Sequence, residues 1–264
     1  MKKKPLVTIM ILVYNNADGL DETISSVMEQ DFLDAEVILS DDGSSNYDTC
    51  LLEEYAKRLR TKFETVRVNV NEHNLGTVKH LNRVIRMAEG SYLMNCCSGD
   101  SFYAKNTISH LVSCFQKSGK RILSARRLDV YPEGKNKYRP SVFVGCALKI
   151  CPKALMEYMI CNKNLLSGCC TFAAKELFET YGYYEEDYFL VEDYPYYVEL
   201  LRKKEPFAVT FQPAIRHGIG GVSTGKVHPA IYEDIEKMRK KLYDHREDFS
   251  GKVQRFLENC RKDK

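Results

Sequence analysis

The 264-residue sequence predicts an α/β domain with a Rossmann-like, mostly parallel central sheet flanked by helices. Three observations carry that prediction. Short β-branched apolar runs alternate with segments of helical periodicity, beginning at Leu6 and continuing past Tyr92. Each run stops abruptly at a small polar cluster. A content of 44% hydrophobic and 28% charged residues suits a chain with a sizeable buried core and excludes disordered and collagenous classes.

Residues 6–13 form the first expected strand. Lys2, Lys3 and Lys4 before it imitate a signal peptide, yet the apolar stretch ends at Tyr14-Asn15-Asn16 without a small-residue cleavage site. Residues 23–28 have amphipathic helical spacing, residues 36–40 read as a buried strand running into Asp41-Asp42-Gly43-Ser44-Ser45, and residues 50–59 as a helix. The unit then repeats: strand 66–70, turn Asn74-Leu75-Gly76, helix 78–88, and strand 92–96 ending at Ser98-Gly99-Asp100. Such alternation implies parallel strands joined by right-handed crossovers, with ligands at the strands' carboxyl ends. The clusters 14–16, 41–45 and 98–100 all fall at such ends and are expected to converge on one crevice.

After a helix at 106–117 the pattern loosens through Arg126-Arg127, Pro132-Glu133-Gly134 and Tyr138-Arg139-Pro140, which reads as an excursion and as the source of acceptor contacts. Helices at 153–160, 175–181 and 195–202 follow, then a strand at 207–211 and a charged helical stretch at 230–262. The expected division is a domain at 1–225 and a charged helical extension at 226–264 packed on or beside it. No run reaches the roughly 20 apolar residues that span a bilayer. The formal net charge of +3 is too small to imply nucleic acid as a partner. Ten cysteines without a disulfide framework or paired CxxC spacing read as reduced thiols of a cytosolic protein.

Four polar groups are able to carry chemistry. Asp41 and Asp42 at a strand end suit the imide N–H of uracil or a ribose hydroxyl, although an Asp-Gly turn with capping roles would look the same. In Ser98-Gly99-Asp100-Ser101 the carboxylate suits a divalent cation on a diphosphate, or simply a helix cap. Glu192 and Asp193 precede Pro195 at a helix start, where one of them is placed for a general base and both would also favour the helix dipole. His217, in Arg216-His217-Gly218-Ile219-Gly220-Gly221, is able to complete a metal site, and Arg216 to meet phosphate.

Taken in order, Val7-Thr8-Ile9, Tyr14-Asn15, Asp41-Asp42-Gly43-Ser44, Asn74-Leu75-Gly76 with Asn82, Gly90-Ser91-Tyr92-Leu93 and Ser98-Gly99-Asp100 resemble the family 2 glycosyltransferases. The resemblance continues through Ser167-Gly168, Tyr181-Gly182-Tyr183, Glu192-Asp193-Tyr194-Pro195 and Arg216-His217-Gly218, so it covers roughly residues 5–225. It implies a GT-A fold and inverting transfer from a nucleotide-sugar donor, a UDP-sugar first, to a saccharide or lipid-linked saccharide acceptor, as in bacterial polysaccharide synthesis. It places Thr8, Tyr14 and Asp41 around the nucleoside, Asp42 or Lys79 nearby, and Ser98 and Gly99 in the donor loop. It makes Asp100 the last carboxylate of the Asp-x-Asp motif and His217 its partner on Mg2+ or Mn2+. Gly168 and Glu192 fall on the acceptor side, and Asp193 is the base. The chain departs from the family at Ser98 and Ser101, where carboxylates are frequent, and that weakens the expected metal affinity.

A catalytically degenerate nucleotide- or glycan-binding protein is the alternative, and the intact Glu192-Asp193 pair speaks against it. A nucleotidyltransferase would need an early glycine-rich basic loop, and residues 15–19 lack Lys or Arg. The tail is basic at 237–241, with Phe249, Val253, Phe256 and Leu257 available for an apolar face, so peripheral contact with anionic lipid at the inner face of a membrane is one reading. A solvated helix packed on the core is the other. The sequence does not specify an oligomeric state.

Overall fold

The computed structural model describes residues 4–46, 48, 50–218 and 228–262. The glycine-rich turn at 219–221, Lys2, Lys3 and Lys264 lie outside them. The first part runs β1 (Val7–Val13), α1 (Leu20–Met28), β2 (Ala35–Asp41), α2 (Cys50–Arg60), β3 (Thr65–Val70), α3 (Thr77–Met87) and β4 (Tyr92–Cys97). The middle adds β5 (Asp100–Phe102), α4 (Thr107–Ser118), β6 (Ile122–Val130), β7 (Lys137–Arg139), α5 (Val142–Ile150) and α6 (Pro152–Cys161). A 3₁₀ turn (Gly168–Cys170) leads to β8 (Thr171–Ala174), α7 (Lys175–Tyr181), α8 (Asp193–Arg202), β9 (Phe207–Gly218), α9 (Pro229–Tyr243) and α10 (Gly251–Lys262).

One sheet has the order β3-β2-β1-β4-β8-β6-β9-β5, with β7 paired to β6. The four strands of the predicted alternation are all parallel, with Val13 beside Asp41 at their carboxyl ends. Beyond β4 the directions mix, since β8 is antiparallel to both β4 and β6, β9 is parallel to β6, and β5 is antiparallel to β9. Residues 126–130, expected to be irregular, therefore belong to a strand inside the sheet. Arg126 and Arg127 hid it: both are half-buried in the middle of an otherwise buried run, where charges break the apolar pattern. Strand β9 likewise runs beyond the expected 207–211 to Gly218, which is what carries His217 to the site.

Both faces of β1 are covered, so successive side chains feed two cores. Val7, Ile9, Ile11 and Val13 pack with Leu20, Ile24, Leu52 and Phe115 from α1, α2 and α4. On the other face Met10 joins Val78, Met159, Tyr194 and Val198 from α3, α6 and α8. Each fully buried side chain of this kind contributes about 1.5–3 kcal/mol.

Helices α9 and α10 put Met238, Leu242, Val253 and Leu257 into that second core, and Phe249 joins them from the connection between the two. This corrects the lipid-facing reading of the tail, because Phe249, Val253 and Leu257 are buried and the Arg239 guanidinium lies 5.0 Å from the Phe256 ring centre. The stretch expected to be helical at 230–262 is two helices, separated by a 3₁₀ turn at Arg246–Asp248. Among the described residues no helix is long and apolar enough to cross a membrane.

Candidate functional site

The three polar clusters meet where β1, β2 and β4 end. Asn15 N donates to Ser44 Oγ (2.8 Å) and Ser45 N to Asn15 Oδ1 (3.1 Å). Asn16 Nδ2 donates to the Ser98 carbonyl (2.8 Å), and Ser98 Oγ to the Asn16 carbonyl (2.5 Å). Tyr14 stands exposed beside this seam. Asp41 is buried beneath its own loop, with Oδ2 accepting from Ser44 N (2.8 Å) and Oδ1 from Ser44 Oγ (2.5 Å). Gly43 makes the turn with φ +71° and lies against the His73–Asn74 backbone, where no Cβ fits.

Of the other expected nucleoside residues Thr8 sits away from the seam, Asp42 lies at the seam with its carboxylate engaged, and Lys79 is on α3. Thr8 lies at the amino-terminal end of β1, about 20 Å from Tyr14 at the rise of an extended strand. There its hydroxyl donates to Glu36 Oε1 (2.6 Å) and accepts from Gly90 N (2.9 Å). Asp42 has both oxygens engaged, Oδ1 by Asn71 Nδ2 (2.8 Å) and Leu75 N (3.0 Å) and Oδ2 by Gly76 N (3.1 Å). It thereby shapes the 74–76 turn. Lys79 is exposed on α3, and its charge acts on Glu186.

Antiparallel pairing of β5 with β9 sets Asp100 opposite His217, and Asp100 Oδ1 lies 2.6 Å from His217 Nδ1. Thr23 Oγ1 donates to the Asp100 carbonyl (2.6 Å) and accepts from Gly99 N (3.1 Å), which holds the loop at Gly99 φ +92°. Burial favours a neutral His217, but the bond to Asp100 and its charge outweigh burial and raise the imidazole above its ordinary value. The other ring nitrogen, Nε2, is buried and has no partner among the described residues.

Cys169, which the sequence reading passed over, comes from the 3₁₀ turn. One ligand atom each from Asp100, Cys169 and His217 lies within 4.8 Å of the others. Arg127 Nη1 donates to Ser167 Oγ (2.9 Å) and to Cys169 Sγ (3.4 Å), while its Nε lies 2.7 Å from Asp129 Oδ1. A hydrogen bond with Cys170, then the charges of Arg127 and His217, bring the Cys169 thiol down to about 6 against the opposing effect of burial. An orphaned buried imidazole nitrogen beside carboxylate and sulfur fits a divalent cation.

At the far wall α8 begins with Asp193, whose Oδ2 accepts from Gly168 N (2.9 Å) and Asn164 Nδ2 (3.2 Å). Glu192 lines a small cavity of about 30 Å³ with Leu81, Ile85, Leu93, Asn95 and Tyr184. Burial, and then the charge of Asp193, push Glu192 up to about 8. Asp193 is also raised by burial, against the Gly168 and Tyr194 amides and Asn164, which favour its charged form. A Cβ on Gly168 would lie 3.1 Å from Glu192 Oε1 and 3.3 Å from Asp193 Oδ2, so a larger residue there would crowd the pair.

The family model described as Glycosyl transferase family 2 matches residues 8–182, more than half of the chain. The chain belongs to glycosyltransferase family 2. This family 2 chain is 24% identical over 210 residues to an uncharacterised glycosyltransferase of Haemophilus influenzae, covering 76% of this chain and 62% of that protein. It is 26% identical over 114 residues to the poly-beta-1,6-N-acetyl-D-glucosamine synthase of Staphylococcus epidermidis, covering 43% of this chain and 26% of the synthase. It thus spans less than two thirds of either relative.

Among solved structures, S. aureus TarS 1-349 in complex with UDP-GlcNAc superposes with a TM-score of 0.69 at 16% identity, covering 96% of this chain and 71% of that one. The mannosyltransferase PcManGT from Pyrobaculum calidifontis, in complex with GDP-Man and Mn2+, gives 0.63 at 14% identity, covering 97% and 69%. These likenesses establish the GT-A fold. Within this family 2 chain, Asn71, Asn95, Asn164 and Cys169 are the site neighbours that sequence reading missed, while Arg127, expected among acceptor contacts, lies against Cys169. The adjacency of Cys169 to Gly168 was the available signal for the last of them.

Proposed function

We propose that this chain is an inverting glycosyltransferase that moves a sugar from a nucleoside-diphosphate sugar, a UDP-sugar first, to a saccharide or lipid-linked saccharide acceptor. The observation that carries the reading is one turn, Gly168-Cys169, whose sulfur lies with Asp100 and His217 in a cation-ligand set and whose Gly168 amide anchors the half-buried carboxylate of Asp193. The UDP-GlcNAc and GDP-Man complexes of the structural neighbours support the donor class, and the synthase relative supports a saccharide acceptor.

Tyr14 supplies the rim of the nucleoside pocket. Asp41 accepts the base's imide N–H, with Ser44 as the partner it exchanges. Asp100 and His217 would hold Mg2+ or Mn2+, as the Mn2+ of PcManGT supports, and such a cation would supply charge neutralisation at the donor's diphosphate. Asp193, held by the Gly168 amide and Asn164, takes the acceptor's hydroxyl proton as its oxygen attacks the anomeric carbon. Glu192, pushed up to about 8 by burial and the charge of Asp193, favours its protonated form, while the Gly168 and Tyr194 amides and Asn164 favour charge on Asp193. Ser98, in place of the family's first Asp, ties the donor loop to Asn16.

Calorimetry with UDP, with and without Mn2+, tests the donor half: the ion should tighten binding, and Asp100→Ala should remove most of that gain. Asp193→Asn, whose amide oxygen still accepts from Gly168, should bind UDP as the wild type does and lose sugar transfer by about 10²–10⁴-fold. Equal metal enhancement in Asp100→Ala, or wild-type transfer by Asp193→Asn, overturns the assignment.

A further inference from the structure

The cation site contains a sulfur. Cys169 cannot easily leave it, because its turn is tied down on both sides: Gly168 N is bound to Asp193 Oδ2 (2.9 Å), and Cys170 is buried with its amide donating to the Ser167 carbonyl (3.2 Å). The Asp100, Cys169 and His217 ligand atoms all lie within 4.8 Å of one another, and the buried His217 Nε2 lacks a partner among the described residues. Carboxylate and imidazole alone would suit Mg2+ or Mn2+, but a thiolate favours softer ions such as Zn2+ and Co2+.

We propose that Cys169 is a third protein ligand of the cation and that its sulfur makes the site prefer Zn2+ or Co2+ to Mg2+. The inference rests on the glycosyltransferase reading for what the cation does, but not for which atoms hold it. Ligation transfers the thiol proton to solvent and leaves the sulfur lone pair on the ion. Three protein ligands keep a further position open, as in sites where a bound substrate oxygen completes the shell.

Co2+ is the probe, because a cobalt–thiolate bond absorbs strongly in the near ultraviolet and the visible bands report cobalt in the site irrespective of sulfur. The full chain titrated with Co2+ should show both absorptions. Cys169→Ser should lose the near-ultraviolet band and bind Co2+ about tenfold or more weakly, with Mg2+ affinity within about twofold of wild type. Cys169→Asp, which restores a ligand without sulfur, should regain Co2+ affinity without the band, and Cys97→Ser should keep it. Visible bands without the ultraviolet band in the wild type, or a band that survives Cys169→Ser, overturns the sulfur ligand and leaves the transferase reading intact. Failure of every cation to bind or to tighten UDP overturns the metal site, Cys169 with it.

Discussion

Glu192 and Asp193 are neighbours in sequence with opposite surroundings. Asp193 meets the Gly168 and Tyr194 amides and Asn164, all of which favour a carboxylate, while Glu192 faces a cavity walled largely by Leu81, Ile85 and Leu93. The folded protein therefore keeps a proton on Glu192 up to about 8, whereas the unfolded chain releases it near its ordinary value of 4.5. Between those values the folded state binds the extra proton, so this group's contribution to stability is complete below the lower value and is lost as pH rises through the window. Glu192→Gln removes the dependence. Thermal unfolding from pH 5 to pH 8 should show the variant gaining on the wild type by several degrees as pH rises, and a difference that does not change with pH would contradict a proton held on Glu192 in the folded state.

Helix α9 reaches the site through one carboxylate. Asp234, which the sequence suggests is merely a charge among charges, is buried and accepts from the amides of Phe189 (3.0 Å), Leu190 (2.8 Å) and Val191 (3.1 Å), the segment entering Glu192-Asp193. Removing an acceptor from buried amides costs about 1–3 kcal/mol per unsatisfied group. Asp234→Ala should lower Tm, speed hydrogen exchange at 189–191 and reduce kcat more than UDP affinity, with Asp234→Asn milder on each count. Unchanged exchange at those amides would show that Asp234 does not seat the α8 entrance.

At the scale of the molecule, the described part of the tail, 228–262, behaves as part of the second core. Met238, Leu242, Phe249, Val253 and Leu257 are buried in it, Arg239 Nε donates to the Ile160 carbonyl (3.2 Å), and Ser250 N donates to Glu157 Oε1 (2.8 Å). Loss of five such side chains removes on the order of 10 kcal/mol of burial, comparable with the whole stability of a typical domain. A chain ending at 225 should therefore show no cooperative unfolding transition by circular dichroism. A transition within a few degrees of the full chain would instead make the extension an independent appendage.

What the sequence determined by itself is local. The parallel arrangement of the first four strands, the polar clusters at their ends and the carboxylate pair at the start of α8 follow from periodicity, abrupt polar stops and a proline, all readable within a few residues. Only the tertiary structure decided which polar residues share a cavity. It set His217 against Asp100 across 117 positions, brought Cys169 to both, and turned Asp42 toward the 74–76 turn. It also placed Thr8 in a buried network with Glu36 and Gly90 at the opposite end of its strand from Tyr14. The physical reason is direction: a strand has two ends and two faces, residue type does not say which of them a polar side chain serves, and that is settled by the partners the sheet order brings alongside.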